Sequence, residues 1–455
     1  MSGEVREAED LVVTGSAGQS RVAVVYSGQP GSADPRGEMP VLGFRDYWYP
    51  VIGVEKLRRH PVRVQLLGEQ LCVFKGKSGP TVLSDICPHR GASLSGGRCN
   101  YAGTVSCPYH GWTFDERGEC VAVLSEGPMS AIPGRVRVRR FPTRLIKDVV
   151  FAWMGEGEPT APESDLPPEL FDDSVVFHDA TVWKANWRPA LENMNDNHVR
   201  YTHRNSVQLL LRPFGKMSFD GARPIFSGGG VTLTHYTDPS LQERPYREHF
   251  AGVAGLWPKH RYRLLWSWIF TPRVTRWIWA LGEGTYSTPN RLPTPYHQGS
   301  RGHVWEWNQG PHMPGMLRIN GSSSLYTRWC VPIDEGSTRE FYFFAVRPRT
   351  ATGRLWEAAK YPLVQKLLRN RNLGFQDGVV LAQTRFDAPE RFSAFDVETM
   401  AWRRLAILSA RHGGRHDKIP PEVIERLNRP AFELLAEGAG AEDGTVPAQA
   451  DLQLR

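Results

Sequence analysis

Two short loops constrain this chain more than any other feature. One reads Cys87-Pro88-His89-Arg90-Gly91-Ala92, the other Cys107-Pro108-Tyr109-His110-Gly111-Trp112. The spacing is Cys-x-His, then 17 residues, then Cys-x-x-His. Each half places one thiol and one imidazole on a tight turn. Pro88 and Pro108 stiffen the turns, while Gly91 and Gly111 permit the sharp bends. Two Cys and two His suit a tetrahedral zinc ion. They equally suit a [2Fe–2S] cluster with two thiolates on one iron and two imidazoles on the other. The pattern is echoed in both halves within a β-patterned region, which favours the cluster. Cys72, Cys99, Cys120 and Cys330 lack such a context and read as ordinary buried residues.

The surroundings of these loops read as short strands. Val62 to Leu66 alternates with period two, Leu71 to Phe74 follows a turn at 68–70, Val136 to Val138 alternates again, and Val149 to Trp153 closes the region. The pattern predicts an all-β module over residues 44–157. A flexible arm, residues 1–43, precedes it. Residues 158–170 carry Pro159, Pro162, Pro167 and Pro168 and read as a linker. A second domain is expected over 171–436. It has a helix near 188–205 with Pro189 in its first turn. Strands follow at Ser323–Val331 and Phe341–Val346, then helices over Thr352–Thr384 and Val397–Arg411. The Gly/Ala-rich tail, 437–455, is expected to be disordered.

Composition narrows the class. With 455 residues, 40% hydrophobic and 23% charged, the chain is neither disordered nor collagenous. Its net charge of +7 is spread out and Arg-dominated, which is weak support for nucleic-acid binding. A mildly basic face suits an acidic electron-transfer partner. The first ten residues are acidic and polar, unlike a secretory signal. The most apolar run, Leu264–Leu281, is broken by Pro272, Arg273 and Arg276, so no transmembrane segment is expected. These features predict a protein of the reducing cytoplasm.

A second polar cluster runs from Glu192 through Asn195, Asp196 and His198 to His203. An iron held by two His and one carboxylate keeps three positions open on one face, where dioxygen can meet a substrate. Two His on a helix are, taken alone, ordinary core or surface residues.

With the loops C-P-H-R-G-A and C-P-Y-H-G-W-x-F, and this cluster behind them, the chain resembles the Rieske non-haem iron oxygenases, specifically their catalytic α subunits, over about residues 44–410. The resemblance implies an α+β chain: an N-terminal all-β Rieske domain, then a helix-grip catalytic domain of antiparallel sheet and long helices. It implies that Cys87, His89, Cys107 and His110 hold the [2Fe–2S] cluster. His198 and His203 would hold a mononuclear Fe(II), with Asp377 of Phe375-Gln376-Asp377-Gly378 as third ligand and Asp387 as fallback. In the family a carboxylate links the two metal sites, and Asp196 is the residue placed for it here. The sequence departs from the family motif: one residue separates Asp196 from His198 where two are usual. On a straight helix that turns them about 200° apart, so Asn195 and Glu192 are alternatives. Dioxygen would be co-substrate, with NAD(P)H electrons arriving through a ferredoxin or flavin reductase. The segment Ser324–Glu335 resembles members built from α subunits alone, which implies a homotrimer.

The implied activity is mono- or dioxygenation of an aromatic or other hydrophobic small molecule. O- or N-demethylation and oxidative cyclisation in natural-product metabolism are alternatives. A non-catalytic Rieske electron carrier would be much shorter. Pocket candidates are Met194, Leu209, Phe214, Phe226, Trp305 and Trp307, since aromatic walls suit a flat apolar substrate.

Overall fold

The computed structural model describes residues 13–14, 23–24, 35–193, 202–203, 221–227, 229–236, 310–320, 324–348, 350–385, 388–393 and 396–429. Met194, Asn195, Asp196, His198, Leu209, Phe214, Trp305, Trp307 and Asp387 lie outside the described residues, as does the 437–455 tail.

The N-terminal module is built from three antiparallel sheets. The first comprises β1 (Trp48–Gly53), β9 (Thr143–Ile146) and β10 (Val149–Trp153), with β10 in the middle. The second runs β8 (Arg140–Phe141), β4 (Pro80–Ser84), β3 (Glu69–Lys75), β2 (Val62–Leu66). The third is β5 (Thr104–Ser106), β6 (Trp112–Asp115) and β7 (Cys120–Val123). Alternation explains β2, where Val64 and Leu66 are buried and Arg63 is exposed. All five residues of β10 are buried, as expected of a central strand covered on both faces.

Two details differ from the sequence reading. The β2–β3 turn is Leu67-Gly68, and β3 starts at Glu69. Val136–Val138 is extended but joins a sheet only through a bridge between Arg137 and Glu119. Its backbone is claimed by the neighbouring turn: Cys120 N–H donates to Val136 O at 2.9 Å and Val138 N–H to Gly118 O at 2.8 Å. A Cβ on Gly118, whose φ is +80°, would meet Val138 O at 2.2 Å, so that approach requires glycine.

The C-terminal half centres on a seven-stranded antiparallel sheet. Its order is β11 (Val175–Trp183), β17 (Ser337–Val346), β16 (Leu325–Asp334), β15 (Met316–Asn320), β14 (Gly310–His312), β13 (Gly230–Tyr236), β12 (Gly221–Ser227). The predicted strands at 323–331 and 341–346 fall within β16 and β17. Of the helix expected over 188–205, α2 (Trp187–Glu192) is described. Asn186 caps it, accepting from Arg188 N–H. The predicted helix over 352–384 is continuous but not uniform. Between α3 (Ala351–Lys360) and α4 (Gly374–Leu381) the chain winds as a π-helix, Tyr361–Leu373. Pro362 has no N–H for an α-helical bond at the start of this stretch. Helix α5 is Val397–Arg411, as expected, and α6 is Pro421–Asn428.

One apolar core runs through both halves, from Trp48, Val150 and Phe151 to Trp187, Trp329, Phe343 and Trp402. The Phe151 ring lies 6.1 Å from Phe343 and 6.2 Å from Trp329. Backbone bonds join the halves as well: Leu67 N–H donates to Pro332 O at 2.8 Å and Gly68 N–H to Ile333 O at 3.0 Å. The proline-rich segment 158–170 is packed. Leu166 and Leu170 are buried, and two carboxylates within it meet buried arginines. Asp165, at the end of the single helical turn α1 (Pro162–Asp165), receives Arg415 at 2.9 Å; Glu169 receives Arg318 at 2.7 Å. The end of the arm is also held: Trp187 Nε1 donates to Pro40 O at 3.1 Å, and Asn186 Nδ2 to Val41 O at 3.1 Å. The short strands Val13–Thr14 and Ala23–Val24 pair, and the latter pairs with Phe392–Ser393.

Arg415 also lies over the Tyr47 ring, 4.6 Å from its centroid. It ties the region after α5 to the floor of the N-terminal module. Arg415→Met leaves the Asp165 carboxylate buried without its cation. We expect a loss of about 3–5 kcal/mol, read as a lowered urea midpoint. A variant within 0.5 kcal/mol of the parent, roughly the range for surface changes, would show that the pair does not hold the halves together.

Candidate metal centres

The two Cys/His loops adopt the same local fold. Cys87 N–H donates to Ala92 O at 2.9 Å, and Gly91 N–H returns to Cys87 O at 2.9 Å. In the second loop Cys107 N–H donates to Trp112 O at 2.8 Å, and Gly111 N–H returns to Cys107 O at 3.1 Å. Both glycines have positive φ, +74° and +67°. The first loop follows β4, and the second closes the β5–β6 hairpin.

Both thiols are buried, whereas His89 is exposed and His110 partly so. The imidazole rings lie 4.6 Å apart, and Trp112 stacks on His89 at 4.7 Å with an interplanar angle of 2°. Burial pushes the Cys87 thiol up to about 11. The His89 backbone N–H opposes this shift, and the adjacent Cys107 thiol adds to it. A metal bound here displaces that proton, coupling binding to proton release. A two-iron cluster needs only two donors per iron, and the paired thiols and paired imidazoles fit it.

The second centre joins distant parts of the chain. His203 is 1% exposed and Asp377 2%. His203 Nε2 lies 3.0 Å from Asp377 Oδ1, and its Nδ1 lies 3.3 Å from Gln376 Oε1. Two ligands held cis on one ion at about 2.1 Å stand about 3 Å apart, so imidazole and carboxylate are set as such a pair would be. Asp377 is therefore not an exposed helical Asp. Helix α4 brings it inward because its glycines let it lie close to the sheet. A Cβ on Gly378 would be 3.1 Å from Trp183 Cδ1, and one on Gly374 3.3 Å from the Tyr342 hydroxyl. Gln376, Trp183 and Tyr342 were not singled out from the sequence. The Gly-x-x-x-Gly spacing around Asp377 was the available signal.

Glu192 is buried and bound to Arg403 of α5, with Nε–Oε1 2.7 Å and Nη2–Oε2 2.6 Å. Burial raises its pKa, and Arg403 opposes the shift. Phe226 is buried in the principal core, its N–H donating to Asn428 Oδ1 at 2.8 Å.

Comparison with known proteins finds relatives over most of the chain. A family model described as the Rieske [2Fe-2S] domain matches residues 47–141, and one described as homotrimeric ring hydroxylase matches 153–221. The chain is 34% identical over 387 residues to the terminal oxygenase component of carbazole 1,9a-dioxygenase from Metapseudomonas resinovorans, covering 80% of this chain and 90% of that one. It is 33% identical over 184 residues to the oxygenase subunit of 5,5'-dehydrodivanillate O-demethylase from Sphingobium sp. (strain NBRC 103272 / SYK-6), covering 38% and 41%. A solved carbazole-bound oxygenase–ferredoxin complex of carbazole 1,9a-dioxygenase superposes with a TM-score of 0.57 at 22% identity, covering 84% and 92%.

The two loop glycines differ in what surrounds them. A Cβ on Gly91 meets nothing within 4 Å, whereas one on Gly111 would lie 2.6 Å from Leu124 Cβ. Gly91→Ala should cost only about 1–2 kcal/mol of left-handed backbone strain and keep the visible absorption of the cluster. Gly111→Ala adds the overlap and should lose most of that absorption per chain. Equal absorption in the two variants would contradict the packing argument.

Proposed function

The chain belongs to the Rieske non-haem iron oxygenases, and from that premise we propose which of its residues carry the chemistry and what it acts on. It is an oxidoreductase that incorporates dioxygen, with a [2Fe–2S] cluster in an N-terminal β domain and a mononuclear iron in a catalytic domain of antiparallel sheet and helices. We assign Cys87, His89, Cys107 and His110 to the cluster, and His203, Asp377 and His198 to the iron. The domain limits we adopt are 44–157 and 171–436, joined by 158–170. The observation that carries the assignment is the buried 3.0 Å approach of His203 Nε2 to Asp377 Oδ1, in a chain that also holds the two Cys/His loops.

Bound in these sites, the cluster supplies single electrons and the mononuclear iron activates dioxygen beside the substrate. The protein's part is positioning. His89 and His110 form the outward end of the cluster site, while the buried thiols form the inner end. Tyr109, 58% exposed, lies at that outward end, its ring 3.9 Å from that of His110, and suits it to protein contact. Gln376 Oε1 lies beside His203 Nδ1, so it can hold the ring with Nε2 directed at Asp377. Asp196 is our candidate for the link between the two metal sites. Of its alternatives, Glu192 is committed to Arg403, and Asn195 is neutral.

The working unit is a homotrimer fed by a ferredoxin or flavin reductase carrying NAD(P)H electrons. The matched ring-hydroxylase model and the ferredoxin-bound relative support this. The substrate is a hydrophobic, aromatic small molecule, with carbazole as the first probe because of the relative covering most of this chain. The demethylase relative supports a second reading, O-demethylation, which would release formaldehyde from a methoxyarene. No helix among the described residues is long and apolar enough to cross a membrane. We place the chain in a reducing cytoplasm, where thiols that would hold the cluster stay reduced.

His203→Ala and Asp377→Ala should each take the iron content from about three per chain to about two, leaving the cluster spectrum unchanged and abolishing turnover. Retention of the third iron in Asp377→Ala would move the carboxylate assignment to Asp387. Turnover of an aromatic panel with a surrogate reductase should give hydroxylated products. Formaldehyde from methoxyarenes alone would select the second reading.

A further inference from the structure

We propose that Asp85 is a positioning residue for the cluster, clasping the first Cys/His loop shut while its negative charge holds the cluster's reduction potential down. The inference rests on the assignment of Cys87, His89, Cys107 and His110 as cluster ligands. Asp85 stands two residues before Cys87 and is 0% exposed. Its Oδ1 accepts the Ser95 N–H at 2.6 Å, and its Oδ2 accepts the Ser95 hydroxyl at 2.8 Å. Its own carbonyl accepts the Leu94 N–H at 2.8 Å, and its N–H donates to Gln70 O on β3 at 2.8 Å. Ile86 and Ser93 pair between these anchors. Both ends of the loop are therefore fastened to one residue, which is itself fixed to the sheet.

The clasp reaches the second loop. Beyond Ser95 the chain passes Gly97, where a Cβ would lie 1.9 Å from Ser106 O, so the two backbones are in contact. Arg98 and Ser106 then exchange bonds, Ser106 N–H to Arg98 O at 2.8 Å and Arg98 N–H to Ser106 O at 3.2 Å. Ser106 immediately precedes Cys107. What Asp85 holds is the strap between the two ligand loops.

The electrostatic part follows from what faces the carboxylate. Among the described residues the carboxylate's short contacts are hydrogen bonds from Ser95, which stabilise the anion without neutralising it. The cation beside it is Arg63, whose Nε lies 3.6 Å from Oδ2 and whose side chain is 54% exposed, so water screens its compensation. Two residues of chain keep the Asp85 and Cys87 α-carbons within about 7 Å of each other, and a fixed anion beside a cluster ligand disfavours the electron that the cluster gains on reduction.

The test is spectroelectrochemical titration of the full-length protein with its cluster, at one fixed pH, beside the rate of cluster loss to a chelator. Asp85→Asn removes the charge and nearly keeps the shape, so its midpoint potential should move up. Arg63→Gln, at the surface, removes the compensating cation, so its potential should move down. Ser95→Ala keeps both charges, so it should lose its cluster several-fold faster with no upward shift. Unmoved potentials in both Asp85→Asn and Arg63→Gln overturn the proposal, even if the clusters become labile. If Asp85→Asn assembles no cluster, the direction of the Arg63→Gln shift decides. A parent protein with no red-brown cluster would overturn the ligand assignment beneath it, a failure distinguishable from that of Asp85.

Discussion

The catalytic half is organised around one approach, the 3.0 Å contact of His203 Nε2 with Asp377 Oδ1 in a place closed to water. An imidazole and a carboxylate from segments far apart in sequence meet there only if helix α4 lies hard against the sheet. That depends on Gly374 and Gly378 exposing bare backbone to Tyr342 and Trp183. Trp183 in turn carries Arg328 over its ring at 4.8 Å, and Arg328 donates to the Ala190 carbonyl on α2. The helix that leads into the histidine motif and the helix that bears the carboxylate are thus referred to the same pair of side chains. Small displacements in such a packed arrangement reach the ligands because interiors have little free volume to absorb them.

The N-terminal module solves a different problem with different means. Its cluster site must be rigid yet open to protein contact at one end. Rigidity comes from backbone bonds, with each loop closed by a Cys N–H and a Gly N–H and the two loops joined through Ser106. Openness comes from leaving the histidines at the surface while the thiols face the interior core of Phe74, Leu94 and Phe114. The rest of the module shares its core with the catalytic sheet, so the two halves cannot turn freely against each other without breaking apolar contacts.

Buried ion pairs recur: Asp165 on Arg415 and Glu169 on Arg318 hold the proline-rich segment to the catalytic half, and Glu192 on Arg403 joins α2 to α5 within it. Such pairs add little net stability compared with apolar packing, but a wrong register would leave charges unpaired in the interior. They specify one arrangement. The proline-rich segment looked like an open linker because its prolines mark turns. Its buried acids Glu169 and Asp165 find their partners 149 and 250 positions away, which local pattern cannot reveal.

What the sequence determined by itself was whatever depends on neighbours along the chain. The two Cys/His loops were legible because each ligand pair and its turn-forming glycine lie within six residues. Helix α5 and strands β2, β10, β16 and β17 were legible because period and composition are local. The family followed from those residues and the cluster around His203. Tertiary structure alone decided that Asp377 is buried rather than exposed, that Gln376 sits beside His203, and that Glu192 is spent on Arg403. It also decided that Asp85 fastens the strap between the loops. The reason is physical: each of these facts is a contact between segments that only packing brings together, and a side chain's identity does not encode the distant group that will face it.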